Sequence, residues 1–185
     1  MFGSEVPIDS LVRDMKRGRS YTLGLGKATP LSNATSRTWA NRVAHCLQDK
    51  SQRNTLLIET DGDENTSQGA DNQVIQPATA ESSVARVFWG VCSDPKSPKS
   101  SWNRQTMKAL SAFPKWKEDY PLIVLHLGAL DSDGFAMLGK LCDGIALSAD
   151  MSRCHASSLR DLSRNLRHHQ AQGCRLLGMW SVEIG

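Results

Sequence analysis

The run Leu122-Ile-Val-Leu-His126-Leu holds five apolar residues around one histidine, with Tyr120-Pro121 before it and Gly128 soon after. A strand with water on one face alternates apolar and polar side chains. This run does not alternate, so it predicts a strand covered on both faces. Such strands belong to parallel sheets, whose crossover connections lay helices on each side. The rest of the chain supplies that pattern. Further strands are predicted over 21–25, 55–60, 84–89, 144–148 and 175–182. Helical stretches lie between them. In 32–50, Trp39, Val43, Cys46 and Leu47 recur at i, i+4, i+7 and i+8, one face of a helix that Thr35 or Ser36 would cap. A helix over 102–116 is expected to break near Pro114, and a short one is expected over 134–141. In 157–172, Leu159, Leu162 and Leu166 point inward, Arg160, Arg164 and Arg167 point outward, and Gly173 ends the helix. Strands alternating with helices predict a three-layer α/β/α domain with a mostly parallel sheet of five to six strands.

Length and composition set the bounds. A chain of 185 residues suits one domain with a real core. We read 1–20 as a basic arm or short exposed helix (Arg13, Lys16, Arg17, Arg19). The domain then runs over 21–185, with a long polar loop around 61–83. Hydrophobic residues at 39% against charged residues at 22% indicate a globular chain rather than a disordered one. A net charge of +3 is too small to argue for nucleic acid. No run is long enough to span a membrane and Met1-Phe-Gly-Ser-Glu-Val-Pro lacks a signal-peptide pattern, so the expected location is cytoplasmic. The five cysteines include no Cys-x-x-Cys pair, which disfavours a zinc site or a disulfide framework.

Several local patterns invite a functional reading, and each has a plainer one. Gly24-Leu-Gly26-Lys27-Ala-Thr29 has the residue types of a phosphate loop, but the glycine needed six residues before Lys27 is Tyr21; a turn is favoured. Asp61-Gly-Asp63-Glu-Asn65 opens like a calcium loop, but Thr66 stands where glycine is required and Asn72 where glutamate is; a solvated acidic loop is favoured. His126 lacks a second ligand at motif spacing and reads as a packed or hydrogen-bonded residue. His168 and His169 sit on the polar side of a helix end, where they suit its dipole. Cys142 reads as a core residue, and no Gly-x-Ser-x-Gly elbow exists. These residues assign no catalytic group and no metal site.

Three stretches of the second half come in a telling order. They are Tyr120-Pro-Leu-Ile-Val-Leu-His-Leu-Gly-Ala-Leu, Ala136-Met-Leu-Gly-Lys-Leu-Cys-Asp143-Gly144-Ile-Ala-Leu, and Gly173-Cys-Arg-Leu-Leu-Gly178 after Leu159-Arg-Asp-Leu. Their order and spacing resemble the bacterial tyrosine kinases of capsule and exopolysaccharide synthesis, within the MinD/ParA-like P-loop ATPases. The family pattern is a strand ending in Asp-x-Pro-Pro, a helix, Ala-Asp-Gly before a strand, a long helix, and Gly-x-x-x-x-Gly into a last strand. The resemblance extends over about residues 20–182, with 62–100 unaligned. It places Ser36, Arg37 and Thr38 at the phosphate-loop lysine and the hydroxyl after it. Glu59 and Asp61 fall at the second acidic motif, and His126 at the metal-organising Asp of the strand end.

The departures decide what the resemblance implies. A phosphate loop needs glycines so that backbone N–H groups can cradle phosphates, a lysine to neutralise them and a hydroxyl for magnesium. Ser32-Asn-Ala-Thr-Ser36-Arg37-Thr38 has no glycine and no lysine, and Gly128-Ala129 replaces the Pro-Pro. Only the carboxylates near Glu59 and Asp61 survive. The tyrosines are Tyr21 and Tyr120, without the family's tyrosine cluster, and its Glu-x-x-Arg-x-x-Arg pattern is reduced to Ser10-x-x-Arg13-x-x-Lys16. The expected function is therefore a pseudo-ATPase or pseudokinase without a bound cofactor, an interaction or regulatory module in polysaccharide assembly. It would meet a catalytic paralogue or a polysaccharide-export membrane protein, placing it at the inner face of the membrane, or pair as a homodimer. Arg153, Arg160, Arg164 and Arg167 form the surface that would dock an acidic partner. One alternative is a weak ATPase or tyrosine kinase that binds Mg-ATP through Arg37 or Lys27. Another is a MinD/ParA-like or division-inhibitor-like interaction protein.

Overall fold

The computed structural model describes residues 6–15, 20–28, 31–59, 84–88, 110–129, 138–149 and 175–181, together with 135, 160, 164, 167, 168 and 170. Six strands form one sheet: β1 Tyr21–Lys27, β2 Thr55–Glu59, β3 Ala85–Phe88, β4 Leu122–Ala129, β5 Gly144–Ala149 and β6 Leu176–Ser181. Their order is β3-β2-β4-β1-β5-β6, and every neighbouring pair is parallel. The expected mostly parallel α/β sheet is what forms.

β4 explains itself. Leu122 and Val124 pack on one face, while Ile123, Leu125 and Leu127 pack on the other. Both faces of this central strand are buried, so its sequence has no polar alternation to show. The strand also runs on past His126 to Ala129, further than the apolar run alone suggested.

The first face is covered by helix α1 (Val6–Met15) and helix α2 (Asn33–Ser51). The N-terminal segment is not the exposed arm or exposed helix that its charge implied. Leu11, Val12 and Met15 of α1 are buried with Trp39, Val43 and Leu47 of α2, and Lys50 Nζ lies 2.8 Å from Asp9 Oδ1. Three apolar residues on one side of a helix outweigh the charges on the other. Trp39 also meets Trp180 of β6 edge-on, with ring centroids 5.7 Å apart.

Ser32, not Thr35 or Ser36, caps α2: its Oγ accepts the Thr35 N–H at 3.0 Å. Ser36 is excluded because it lies buried in the first turn. Cys46, expected on the buried face, is half-buried.

The second face carries a helix over 110–119 (α3), with Phe113 and Trp116 buried, and the helical residues Phe135 and Leu138. The break expected at Pro114 does not occur within α3. Pro114 is exposed, so burial of Phe113 and Trp116 holds the helix while proline removes one bond on the wet side. Cys142, read as core, is half-buried after the 3-10 turn Gly139–Leu141.

Two glycines of β1 have a packing role. A Cβ on Gly24 would sit 2.7 Å from Leu127 Cδ1 and 2.8 Å from Cys142 Sγ, and one on Gly26 would strike the Phe135 ring. Gly24-Leu-Gly26-Lys27 is therefore neither a phosphate loop nor a turn, but a strand whose missing side chains let the second core close on it. Asp143 works at the other end of β1. Its Oδ2 accepts the Thr22 N–H at 2.7 Å and its own N–H donates to the Thr22 carbonyl at 2.8 Å.

Candidate functional site

In open parallel sheets, ligands bind beyond the carboxyl ends of the strands, where neighbouring connections leave for opposite faces. That point lies here between β1 and β4. β1 leads to α2 on the first face, whereas the helical residues that follow β4 pack on the second. The side chains around it are Ser36 and Arg37 of α2, Glu59 at the end of β2, and His126 of β4.

They form two ties. Ser36 Oγ and His126 Nε2 are 2.8 Å apart and both residues are fully buried. Arg37 Nε lies 3.6 Å from Glu59 Oε2, with Arg37 24% exposed and Glu59 2%. Glu59 and His126 are register partners on adjacent strands. Two consecutive residues of α2 are thus fastened to two neighbouring strands.

Burial pushes the Glu59 carboxyl above the ordinary carboxylate value, and Arg37 and Arg86 pull it back only in part. Arg86, on β3, gives its Nη2 to Asn41 Oδ1 at 2.8 Å.

Several described donors between β1 and the first turn of α2 bond within the chain. The Ala28 N–H bonds the Ser148 carbonyl at 2.8 Å, which extends the β1–β5 ladder into the start of the loop. Lys27 Nζ donates to the Leu31 carbonyl at 3.2 Å. The Thr35 N–H is taken by Ser32, and the Ser36 N–H bonds the Ser32 carbonyl at 3.0 Å. Ser148 Oγ donates to the Gly26 carbonyl at 3.1 Å.

No protein-family model and no curated protein matches the sequence. Solved structures do. The kinase domain of the Escherichia coli tyrosine kinase ETK is similar with a TM-score of 0.68 and 14% identity, over 95% of this chain and 72% of that one. The VpsO kinase domain gives 0.64 and 16%, over 97% and 94%. The MinC:MinD cell division protein complex of Aquifex aeolicus gives 0.52 and 15%, over 88% and 67%. The chain has the fold of the bacterial tyrosine kinase domains and MinD/ParA-like proteins.

Within this kinase-like fold, four of the six expected positions meet. Ser36, Arg37, Glu59 and His126 form one buried seam. Thr38 does not join it; it is exposed on α2. Asp61 lies outside the described residues, as does the acidic stretch that opens like a calcium loop. His126 is hydrogen-bonded, the plainer of its two readings. Glu59 is present but is buried against Arg37, so it is not a carboxylate open to solvent. Arg160, Arg164 and Arg167 are exposed, and Arg153 lies outside the described residues. The sequence reading missed Arg86, Asn41 and the tie of Lys27 to Leu31. A charged residue inside the apolar strand 84–89 was the available signal for Arg86.

Proposed function

We propose that this chain is a non-catalytic relative of the exopolysaccharide tyrosine kinases and acts by contact with a protein partner in polysaccharide assembly. One observation carries the reading: among the described residues at the carboxyl end of the sheet, Ser36 hydrogen-bonds His126 and Arg37 lies 3.6 Å from Glu59. The fold implies a magnesium nucleotide, and the described residues at the strand ends do not fit one. A phosphate requires several backbone N–H groups aimed at one point, and a cation beside them. Here the Ala28, Thr35 and Ser36 N–H groups and the Lys27 amine bond within the chain. Magnesium requires carboxylate or hydroxyl oxygens it can reach. Within β4, His126 is hydrogen-bonded to Ser36, and Glu59, at the end of β2, is paired with Arg37.

Rate in phosphoryl transfer comes from positioned charge on the phosphates. Without it several kcal/mol of transition-state stabilisation is missing. Binding is then the remaining use of the fold. Among the described residues no helix is long and apolar enough to cross a membrane.

The test is Mg-ATP and Mg-ADP binding, by calorimetry and by melting temperature. A ligand that binds only the folded state adds roughly 2.7 kcal/mol of stability at a hundredfold excess over its dissociation constant. No heat and no shift at millimolar nucleotide is the expected result; a magnesium-dependent shift overturns it. The rival nucleotide-binding reading draws on Lys27, whose amine lies beside the loop between β1 and α2. It requires a shift that Lys27→Ala or Arg37→Ala abolishes.

A further inference from the structure

β6 forms one edge of the sheet, and among the described residues it pairs with β5 alone. Natural edge strands are blunted by charged residues, proline or brevity. β6 reads Leu176-Leu-Gly-Met-Trp-Ser181, with no charge and no proline. Its irregularity is a register shift at Leu177; from Gly178 onward it pairs residue for residue with Ala146, Leu147, Ser148 and Ala149.

The backbone direction at this edge follows from one hydrogen bond. The Ile145 N–H donates to the Arg175 carbonyl at 2.8 Å, so Ile145 turns its polar groups toward β6. Every second residue of a parallel strand does the same, and Leu147 and Ala149 follow. Leu147 is the register partner of Met179, so it bonds the residues on either side, Gly178 and Trp180. Met179 then turns its own N–H and carbonyl to the open edge. Its side chain is also the one exposed large hydrophobic group among the described residues, at 40%.

The side chains beside it are complementary to each other. Gly178 and Trp180 lie on the first face, opposite Ala146 and Ser148 of β5. A Cβ at Gly178 would meet nothing within 4 Å, and its φ of +152° suits glycine alone. Trp180, two residues on, is half-buried and held edge-on by Trp39. One face of the strand thus offers an indole and, beside it, an open place of the kind an indole fills.

We infer that β6 is a docking edge for β6 of a second copy, the two strands running antiparallel about a two-fold axis at Met179. In that register the two Met179 residues exchange both backbone hydrogen bonds, and their side chains meet. Gly178 of each copy faces Trp180 of the other. Centring the axis on Gly178 or on Trp180 instead sets glycine against glycine or indole against indole, and presents backbone groups already bonded to β5. Both copies use the same surface, so the contact closes at two. The inference rests on the reading of the chain as a contact module. It fails separately from the nucleotide result, because β5 and β1 stand between β6 and the strand ends where a nucleotide would bind.

The experiment is sedimentation of the full chain, joined to cross-linking. An edge this short makes a weak contact, so average mass should rise from one copy toward two over roughly 10 μM to 1 mM. About 1 M salt should leave it unchanged, since no charge takes part. Met179→Lys, which sets two ammonium groups against each other, should associate at least about tenfold more weakly with an unchanged melting temperature. Met179→Cys should cross-link to itself under mild oxidation, because Cα atoms of such a pair lie about 5.5 Å apart, within disulfide reach. Wild type and Thr38→Cys, exposed on α2, should not give that 179–179 link or an equal yield of covalent dimer. A monomer at every concentration overturns the inference. So does association that Met179→Lys leaves intact, that salt abolishes, or that grows beyond two copies, and so does a Met179→Cys protein that cross-links no faster than Thr38→Cys.

Discussion

Removing the Ser36 hydroxyl tests the seam most directly. Ser36→Ala deletes one oxygen from a place with no solvent access and leaves His126 Nε2 without that partner. The vacated space is too small for a water molecule. The cost should be that of an unsatisfied buried polar group, about 1–3 kcal/mol. For a chain of 185 residues, where 1 kcal/mol moves the midpoint by about 2–4 °C, this is a fall of roughly 2–12 °C. His126→Leu is kinder to its partner, because the Ser36 hydroxyl can turn back to the carbonyl four residues earlier. Replacing both residues removes donor and acceptor together, which can be nearly neutral. The double variant should therefore cost less than the two single ones combined, by about 1 kcal/mol. Urea unfolding of all four proteins measures this, and the cycle cancels whatever else each side chain touches. If the costs add to within about 0.5 kcal/mol, or if Ser36→Ala is silent, the pair does not hold α2 to β4.

Other outcomes follow from the packing and the charges. Gly24→Ala and Gly26→Ala should each destabilise by about 1–3 kcal/mol through overpacking, seen as a lower urea midpoint. A phosphate-loop role for these glycines would predict unchanged stability instead. Ser32→Ala should cost about 1 kcal/mol by removing the α2 cap, whereas Thr38→Ala, exposed one turn later, should be nearly silent. The Glu59 carboxyl, raised by burial, holds its proton to higher pH in the folded state than in the unfolded chain. Its contribution to stability is thus complete below pH 4.5 and is lost as pH rises through the raised folded value. Glu59→Gln should remove that downward slope from a plot of stability against pH; a wild-type protein that gains stability over the variant through this window would refute it.

Much of the layout was legible because each signal was local. The unbroken apolar run at 122–127 announced a strand buried on both faces, and the period of Trp39, Val43 and Leu47 announced the buried side of α2. Legibility failed where one residue answers to two demands. Pro114 reads as a helix breaker, yet the burial of Phe113 and Trp116 keeps α3 intact. Leu11, Val12 and Met15 are hidden among charges, so α1 read as an exposed arm or helix when it packs on α2. Ser36 looked like a cap because serine so often is one, but Ser32 reached the free N–H first.

The candidate site divides the same way. From the sequence came the missing glycines and lysine around 32–38, the histidine inside the apolar run of β4, and the arginines at 153, 160, 164 and 167. These are properties of composition and order along one chain. The partnerships came only from the folded molecule. Ser36 and His126 are 90 residues apart, and Glu59 pairs with Arg37 only because α2 crosses the end of β2. Hydrogen bonds and ion pairs depend on separations of a few ångströms. A sequence fixes which groups exist, but sheet order and helix placement decide which of them come that close and which lose their water.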